Sequence, residues 1–320
     1  MMNVAQRTIE NNTLYIEGLL KTERRKVCTS IAETLNTTHD AVYQPFDKAE
    51  LLIQKAREEL QSIAAEAFGN KPIYLLIDDF VINKQYSKEI EGTDTCYDSS
   101  TKHAGAGLHS VSAMLTDGDT KIPIDASLFL SKRIGGENRI TKNKIAEEII
   151  KSNSFDRAIW DAHYTTHSSV RKCYELNKSY LGKIPRNRIV KVNGKEGQVQ
   201  KLVKLKKNRK ILSVEANFGG TPCWIHAVKR DDKKIIYLIS DDYIKPKLIA
   251  KIYKIRWKIE CFHRTSKQML GMQQCQMRSF KKQELHVLSV MIAYAHAELI
   301  RIRFKLKHTE AAVRLIRSQK

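Results

Sequence analysis

Residues 73–82, IYLLIDDFVI, constrain the fold of this chain more than any other stretch. The run is short and apolar, which suits a buried strand of an α/β core. Two adjacent aspartates, Asp78 and Asp79, interrupt it. A carboxylate beside a buried apolar run is costly unless it is hydrogen-bonded, ion-paired or bound to a cation. A second short run, RAIW at 157–160, also ends on an acid, Asp161. Each acid alone is an ordinary cap or turn residue. Together they supply what two-metal phosphoryl chemistry needs, several carboxylates that can converge on cations.

The order of elements around these runs narrows the fold class. Residues 3–70 read as helical, because LYIEGLL, KVCTSIAETL and KAELLIQKAREELQSIAAEAF carry apolar residues at helical spacing. Gly69 and Pro72 close that region. Asp117-Gly118 between apolar flanks predicts a hairpin within 103–130. Helices are expected over 139–151 and 166–181. Between 186 and 240 the pattern changes: RIVKVNG, KLVKLKK, KILSVEAN, CWIHAVKR and KIIYLIS read as strands separated by Gly, Asn and Asp turns. From Pro246 the pattern is helical again. This order predicts a mixed α/β core with a β-strand insertion. The expected divisions are an N-terminal helical region at 1–70, the first part of the core at 71–185, the insertion at 186–240 and closing helices at 241–320.

Charge points to the partner. The chain has 56 Lys and Arg against 35 Asp and Glu, a net of +21. Residues 1–100 carry −5, so the remaining 220 carry +26. Residues 183–210 hold eleven cations and one acid, 251–282 nine and one, and 301–320 seven and one. Three such runs make a phosphate-binding surface, with nucleic acid as the first partner. No stretch approaches 18 unbroken apolar residues, and MMNVAQRTIENN has no apolar core. No membrane span, no secretory signal and a cytoplasmic location are therefore expected. The six cysteines form no C-x-x-C pair and are read as reduced thiols, and the spacing of His163, His167 and Cys173 matches no zinc module.

The strongest local signal is KIYKIRWKIECFHRTSKQ, 251–268. Drawn as one helix, it places Tyr253, Arg256, Glu260 and Lys267 within an arc of roughly 60°. Ile255, Ile259 and Phe262 form the adjacent apolar face. Arg256 and Glu260 have ordinary i,i+4 spacing, worth only a few tenths of a kcal/mol. That pairing does not account for Lys267 and Tyr253 on the same stripe. One carboxylate between two cations and a phenol suits a phosphodiester site with a divalent metal.

These residues resemble a known family. Tyr253, Arg256, Glu260 and Lys267 match the Y-(2)-R-(3)-E-(6)-K signature of bacterial DDE transposases of the insertion-sequence-four type, and the flanking Trp257, Ile259, Phe262 and His263 agree as well. IDDFVINKQ resembles the first-aspartate block of that family, with Phe80 where relatives carry Thr, and DAHYTT (161–166) its second-aspartate block. The resemblance spans roughly residues 70–300.

The resemblance implies an RNase H-like fold and a DNA transposase. It would cleave transposon ends and carry out strand transfer with two Mg²⁺ or Mn²⁺ ions. Asp161 and Glu260 carry over as the second and third metal-binding acids. Asp79 carries over as the first, with Asp78 as the alternative. Tyr253, Arg256 and Lys267 carry over as DNA-backbone contacts. The implied partners are double-stranded DNA, as terminal inverted repeats and as target, and a second copy of the chain on paired ends, with the protein held on the nucleoid through DNA. Trp224 and Tyr237 are the aromatics available in the insertion for stacking on a flipped base. A nuclease that lacks strand transfer and an inactive DNA-binding remnant are the competing readings.

Overall fold

A computed structural model describes residues 4–69, 71–87, 89–98, 103–206 and 208–319. The chain opens with helices α1 (Val4–Lys21), α2 (Cys28–Thr34), α3 (His39–Tyr43) and α4 (Ala49–Phe68). Strands β1 (Tyr74–Asn83), β2 (Asp94–Asp98), β3 (His103–Thr116) and β4 (Lys121–Phe129) follow. Then come α5 (Lys132–Gly135), α6 (Lys142–Ser152), β5 (Arg157–Trp160), α7 (His167–Glu175) and β6 (Tyr180–Ile184). The insertion contains β7 (Ile189–Val192), β8 (Lys195–Gln198), α8 (Val199–Leu202), β9 (Ile211–Phe218), β10 (Thr221–Lys229) and β11 (Ile235–Ser240). Four helices close the chain: α9 (Pro246–Lys254), α10 (Trp257–Met269), α11 (Phe280–Arg303) and α12 (Thr309–Ser318). The expected mixed α/β fold, with N-terminal helices and a β-rich insertion, is what forms.

The chain divides into two compact units. The first comprises residues 1–71, 79–142 and 259–320, the second 72–78 and 143–258. Strand β1 gives its first residues to the second unit and its last to the first.

In the first unit α11 is the central element. It is buried on nearly every side, as expected of a helix that is apolar all round. It is long and apolar enough to cross a bilayer, but 78% of its apolar window is buried inside the chain. Its polar residues are satisfied there. Glu298, fully buried, accepts from Arg301 Nε at 2.9 Å and Thr309 Oγ1 at 2.7 Å. The apolar face of α4, from Leu52 to Phe68, is buried in the same unit. Strand β3 pairs antiparallel with β2 and with β4, whose connection is the hairpin expected at Asp117-Gly118.

In the second unit the strand order is β1-β5-β6-β11-β10-β9-β7-β8. The pairs β1/β5 and β5/β6 are parallel, and the rest of the path is antiparallel. The expected helix over 166–181 stops at Glu175, and Tyr180–Ile184 is a strand instead. Tyr180, Leu181 and Ile184 are all buried, and pairing with β5 decides a short apolar run that periodicity leaves open. Over its described residues KLVKLKK (201–207) is likewise not a strand. Lys201 and Leu202 end a single helical turn, α8, closed by Val203 N–H to the Val199 carbonyl at 2.8 Å, with both valines buried. Around β5, Trp160 stacks on Tyr180, with centroids 5.5 Å apart, and donates to Thr165 Oγ1 at 3.1 Å. Thr165 in turn donates to the Lys183 carbonyl at 2.7 Å. His226 lies fully buried between Ser213 and Ser240, 2.8 Å from each hydroxyl.

Two expected outcomes follow from this packing. A Cβ at Gly182 would collide with the Trp160 indole and the Thr165 hydroxyl. Gly182→Ala should therefore lower stability by about 1–3 kcal/mol, read as a reduced urea midpoint. Burial, reinforced by Arg157 and opposed by Asp242, pulls the His226 pKa down to about 4. The unfolded chain, with an ordinary histidine pKa of about 6.5, then binds the extra proton first. Stability should fall as pH drops from about 6.5 to about 4, by up to about 3 kcal/mol from this group. Urea titrations at several pH values should show that fall, and His226→Asn should flatten it.

Candidate active site

The parallel pairing of β1 with β5 sets the site in the second unit. Its register matches Leu76 to Ile159 and Ile77 to Trp160. The next residue on each strand is an acid, Asp78 on β1 and Asp161 just beyond β5. Matched residues on neighbouring parallel strands lie about 4.8 Å apart and point to the same face. Asp161 caps the following 3₁₀ turn, and its Oδ1 accepts from the Ala162 N–H at 2.5 Å.

Two further side chains converge on this pair. Arg256 Nη1 donates to Asp78 Oδ2 at 3.3 Å, with both side chains less than one-fifth exposed. Tyr253 is half-buried and packs against the cluster of Leu181, Val228, Leu238, Ile244 and Ile249. Burial raises its phenol pKa, and the Asp161 and Asp78 carboxylates push it the same way. A hydrogen bond and the charge of Arg256 oppose them. The phenol therefore stays protonated across the physiological range. Tyr253, Arg256, Asp78 and Asp161, three of them on the expected site roster and one its alternative, share one small region of this unit.

Successive residues of a strand face opposite sides, so Asp79 does not share the face of Asp78. Within the first unit Asp79 faces Lys142, at 3.3 Å. Lys142, at the start of α6, carries no motif signal, and only the fold brings it to Asp79.

The helix carrying Glu260 differs from expectation. Residues 251–268 are not one helix. Helix α9 ends at Lys254 and α10 starts at Trp257. Between them the bonds Ile255 N–H to Ile252, Arg256 N–H to Tyr253 and Lys258 N–H to Ile255 span three residues. The single stripe of Tyr253, Arg256, Glu260 and Lys267 is thus broken in two. The physical reason is that the segment serves two cores. Ile249 of α9 is buried in the second unit, and Ile259 and Phe262 of α10 are buried in the first. Glu260 lies in the first turn of α10, where a carboxylate is favoured by the helix dipole. Further along α10, His263 packs on Phe80, with ring centroids 4.6 Å apart, and pairs with Ser112 Oγ at 2.7 Å. The Lys267 ammonium lies 6.0 Å from the Phe80 ring centroid.

The donor set suits a hard divalent cation. Asp78 and Asp161 each follow the last paired residue of β1 and β5, with Arg256 bonded to Asp78, and oxygen donors of this kind are what Mg²⁺ and Mn²⁺ take. Among the described residues no three His, Cys, Asp or Glu side chains are gathered closely enough to hold a metal by themselves. All six cysteines are free thiols. Of the two insertion aromatics, Tyr237 is buried, whereas Trp224 is half-buried and meets the Tyr243 ring edge-on at 5.0 Å. Arg186, Arg188, Lys191, Lys195, Lys201 and Lys204 are exposed, so this charge run is a surface.

Residues 70–295 match a family model described as a transposase DDE domain. No curated protein matches the chain by sequence. Among solved structures, a piggyBac transposase in a synaptic complex with hairpin DNA is similar over 99% of this chain and 72% of its own, at 10% identity and TM-score 0.54. That likeness shows the fold alone: the mixed α/β arrangement is shared with that transposase. The NurA nuclease from Sulfolobus solfataricus overlaps at 9% identity, over 88% of this chain and 96% of its own, and its TM-score of 0.30 is too low to bear on the fold.

The Arg256–Asp78 pair has a measurable consequence. Arg256→Ala would strand Asp78 beside Asp161 and should cost about 2 kcal/mol in urea denaturation. Adding Asp78→Asn should restore part of that loss.

Proposed function

The chain belongs to the family of DDE transposase domains, and from that premise we propose that it is the transposase of an insertion sequence of the Y-R-E-K type, cutting DNA at the element's ends and joining them to a target. The observation that carries this reading is the side-by-side placement of Asp78 and Asp161 next to Tyr253 and Arg256. It favours Asp78, rather than the Asp79 suggested by the family pattern, as the first of three acids with Asp161 and Glu260.

It is the family pattern, not their spacing, that assigns two Mg²⁺ or Mn²⁺ ions to these three carboxylates; when bound, the ions would acidify an attacking water and stabilise the leaving oxygen. The other residues act on the DNA. Tyr253, kept protonated, donates its O–H to a phosphate oxygen. Arg256, held at Asp78, brings its positive charge to the same backbone. Lys267 adds a point charge. Water and then a freed 3′-hydroxyl serve as nucleophiles, so no serine or tyrosine ester is needed. The exposed cations of the insertion track phosphates and make affinity depend on salt. Synapsis of two ends calls for two copies of the chain, and an enzyme of this kind works on the nucleoid in the cytoplasm.

The test is cleavage of labelled element-end DNA with Mg²⁺, followed by joining to a target plasmid. Asp78→Asn, Asp161→Asn and Glu260→Gln should each lower cleavage on the order of 10³-fold, the several kcal/mol supplied by metal-assisted charge stabilisation. Asp79→Asn should retain most activity. Loss in Asp79→Asn with activity kept in Asp78→Asn would move the first acid to Asp79. Full activity in Glu260→Gln would overturn the metal-ligand assignment, and cleavage that never leads to joining would make the protein a nuclease.

A further inference from the structure

We propose that a groove beside Asp161 grips the sugar–phosphate backbone of the DNA strand entering the cutting site, with Arg188 as its phosphate contact. The proposal rests on the transposase reading and names the part of the substrate this surface holds.

The groove lies wholly within the second unit and has a volume of about 590 Å³. Sites that hold small ligands run from about 300 to 1,000 Å³, so one nucleotide unit fits. Its walls come from three places in the chain: Ala162 and His163 in the turn after β5, His167 at the start of α7, and Asn187 and Arg188 in the β6–β7 loop. Among the described residues no carboxylate lines it. A guanidinium, an amide and two imidazoles are all able to donate to phosphate oxygens. By contrast, a larger cleft in the first unit, about 800 Å³, sets Glu17, Glu23 and Glu33 against Lys21, Arg24 and Arg317 in its walls and offers a polyanion no net positive charge.

Position ties the groove to the chemistry. Ala162, one of its walls, donates its N–H to the Asp161 carboxylate. A strand with one phosphate at Asp161 therefore runs its neighbouring phosphates along the groove wall that starts at Ala162.

The walls are already fixed. The loop backbone is closed by Arg188 N–H to the Pro185 carbonyl at 3.0 Å, Val199 N–H to the Arg188 carbonyl at 2.9 Å and Gln200 N–H to the Arg186 carbonyl at 3.0 Å. The His167 ring stands edge-on to Phe218, with centroids 4.2 Å apart. Gly219, at φ +59°, lies against that imidazole where any Cβ would collide with it. A surface whose backbone and rings are held this way loses little conformational entropy on binding.

The experiment measures binding of the full chain to a random-sequence duplex by fluorescence anisotropy over a range of salt concentrations. A backbone contact needs no particular sequence. Arg188→Ala should weaken binding about 5- to 10-fold and lower the slope of log K against log[salt] by about 1. Arg188→Lys should keep the slope. Lys151→Ala, an exposed cation on α6, should change neither. A folded Arg188→Ala protein, judged by an unchanged urea midpoint, that binds with the affinity and slope of the wild type overturns the groove and leaves the transposase reading standing. An equal loss in Lys151→Ala also overturns it, because the effect would then be diffuse charge. A wild-type chain that binds no duplex overturns the DNA reading and this proposal together.

Discussion

The parallel pairing of β1 with β5 is the interaction on which the rest of the site depends. A register that matches Ile77 to Trp160 leaves Asp78 and Asp161 as neighbours. Two carboxylates held that close repel one another, and each loses water beside the apolar strands behind it. The surrounding residues offset this cost. Arg256 neutralises Asp78, the Ala162 N–H bonds Asp161, and the half-buried Tyr253 phenol stays protonated in the field of both. A site arranged to tolerate two adjacent anions is equally one that a divalent cation would stabilise. A slip of one residue in that register would turn Asp78 to the opposite side and put Asp79 beside Asp161.

The β5 end is fixed as firmly as the β1 end. The indole of Trp160 is held between the Tyr180 ring and the Thr165 hydroxyl, and Thr165 bonds to the strand that carries Gly182. These contacts hold the turn that begins at Asp161, from which the groove with His163 and Arg188 opens. Catalytic geometry needs support of this kind, because small displacements of a charged group change rates by orders of magnitude.

The break between α9 and α10 shows how packing overrides a local pattern. The wheel drawn over 251–268 is internally consistent, yet its apolar residues belong to two different cores, with Ile249 in one and Ile259 and Phe262 in the other. A straight helix cannot present one stripe to both, so the chain tightens for one turn at Ile255 and Arg256. This break leaves Arg256 with Asp78 and Tyr253, while Glu260 takes its place in the first turn of α10.

Much was legible in the sequence by itself. Helical spacing in residues 3–70, the Asp117-Gly118 hairpin and the strands β5, β7, β9, β10 and β11 follow from periodicity and turn chemistry, which are local properties. The +26 carried after residue 100 is a property of composition and needs no coordinates to suggest a polyanionic partner. The spacing of Tyr253, Arg256, Glu260 and Lys267, with the two aspartate blocks, pointed to a DDE transposase, the family that residues 70–295 match. Tertiary structure decided what local rules leave open. It made Tyr180–Ile184 a strand, because a buried partner existed, and Val199–Leu202 a helical turn, whose first N–H bonds back to the Arg188 carbonyl. It set Asp78, not Asp79, beside Asp161, and gave Asp79 to Lys142. The reason is the same in each case. Register and burial are relations between segments far apart in sequence, and no single window contains both partners.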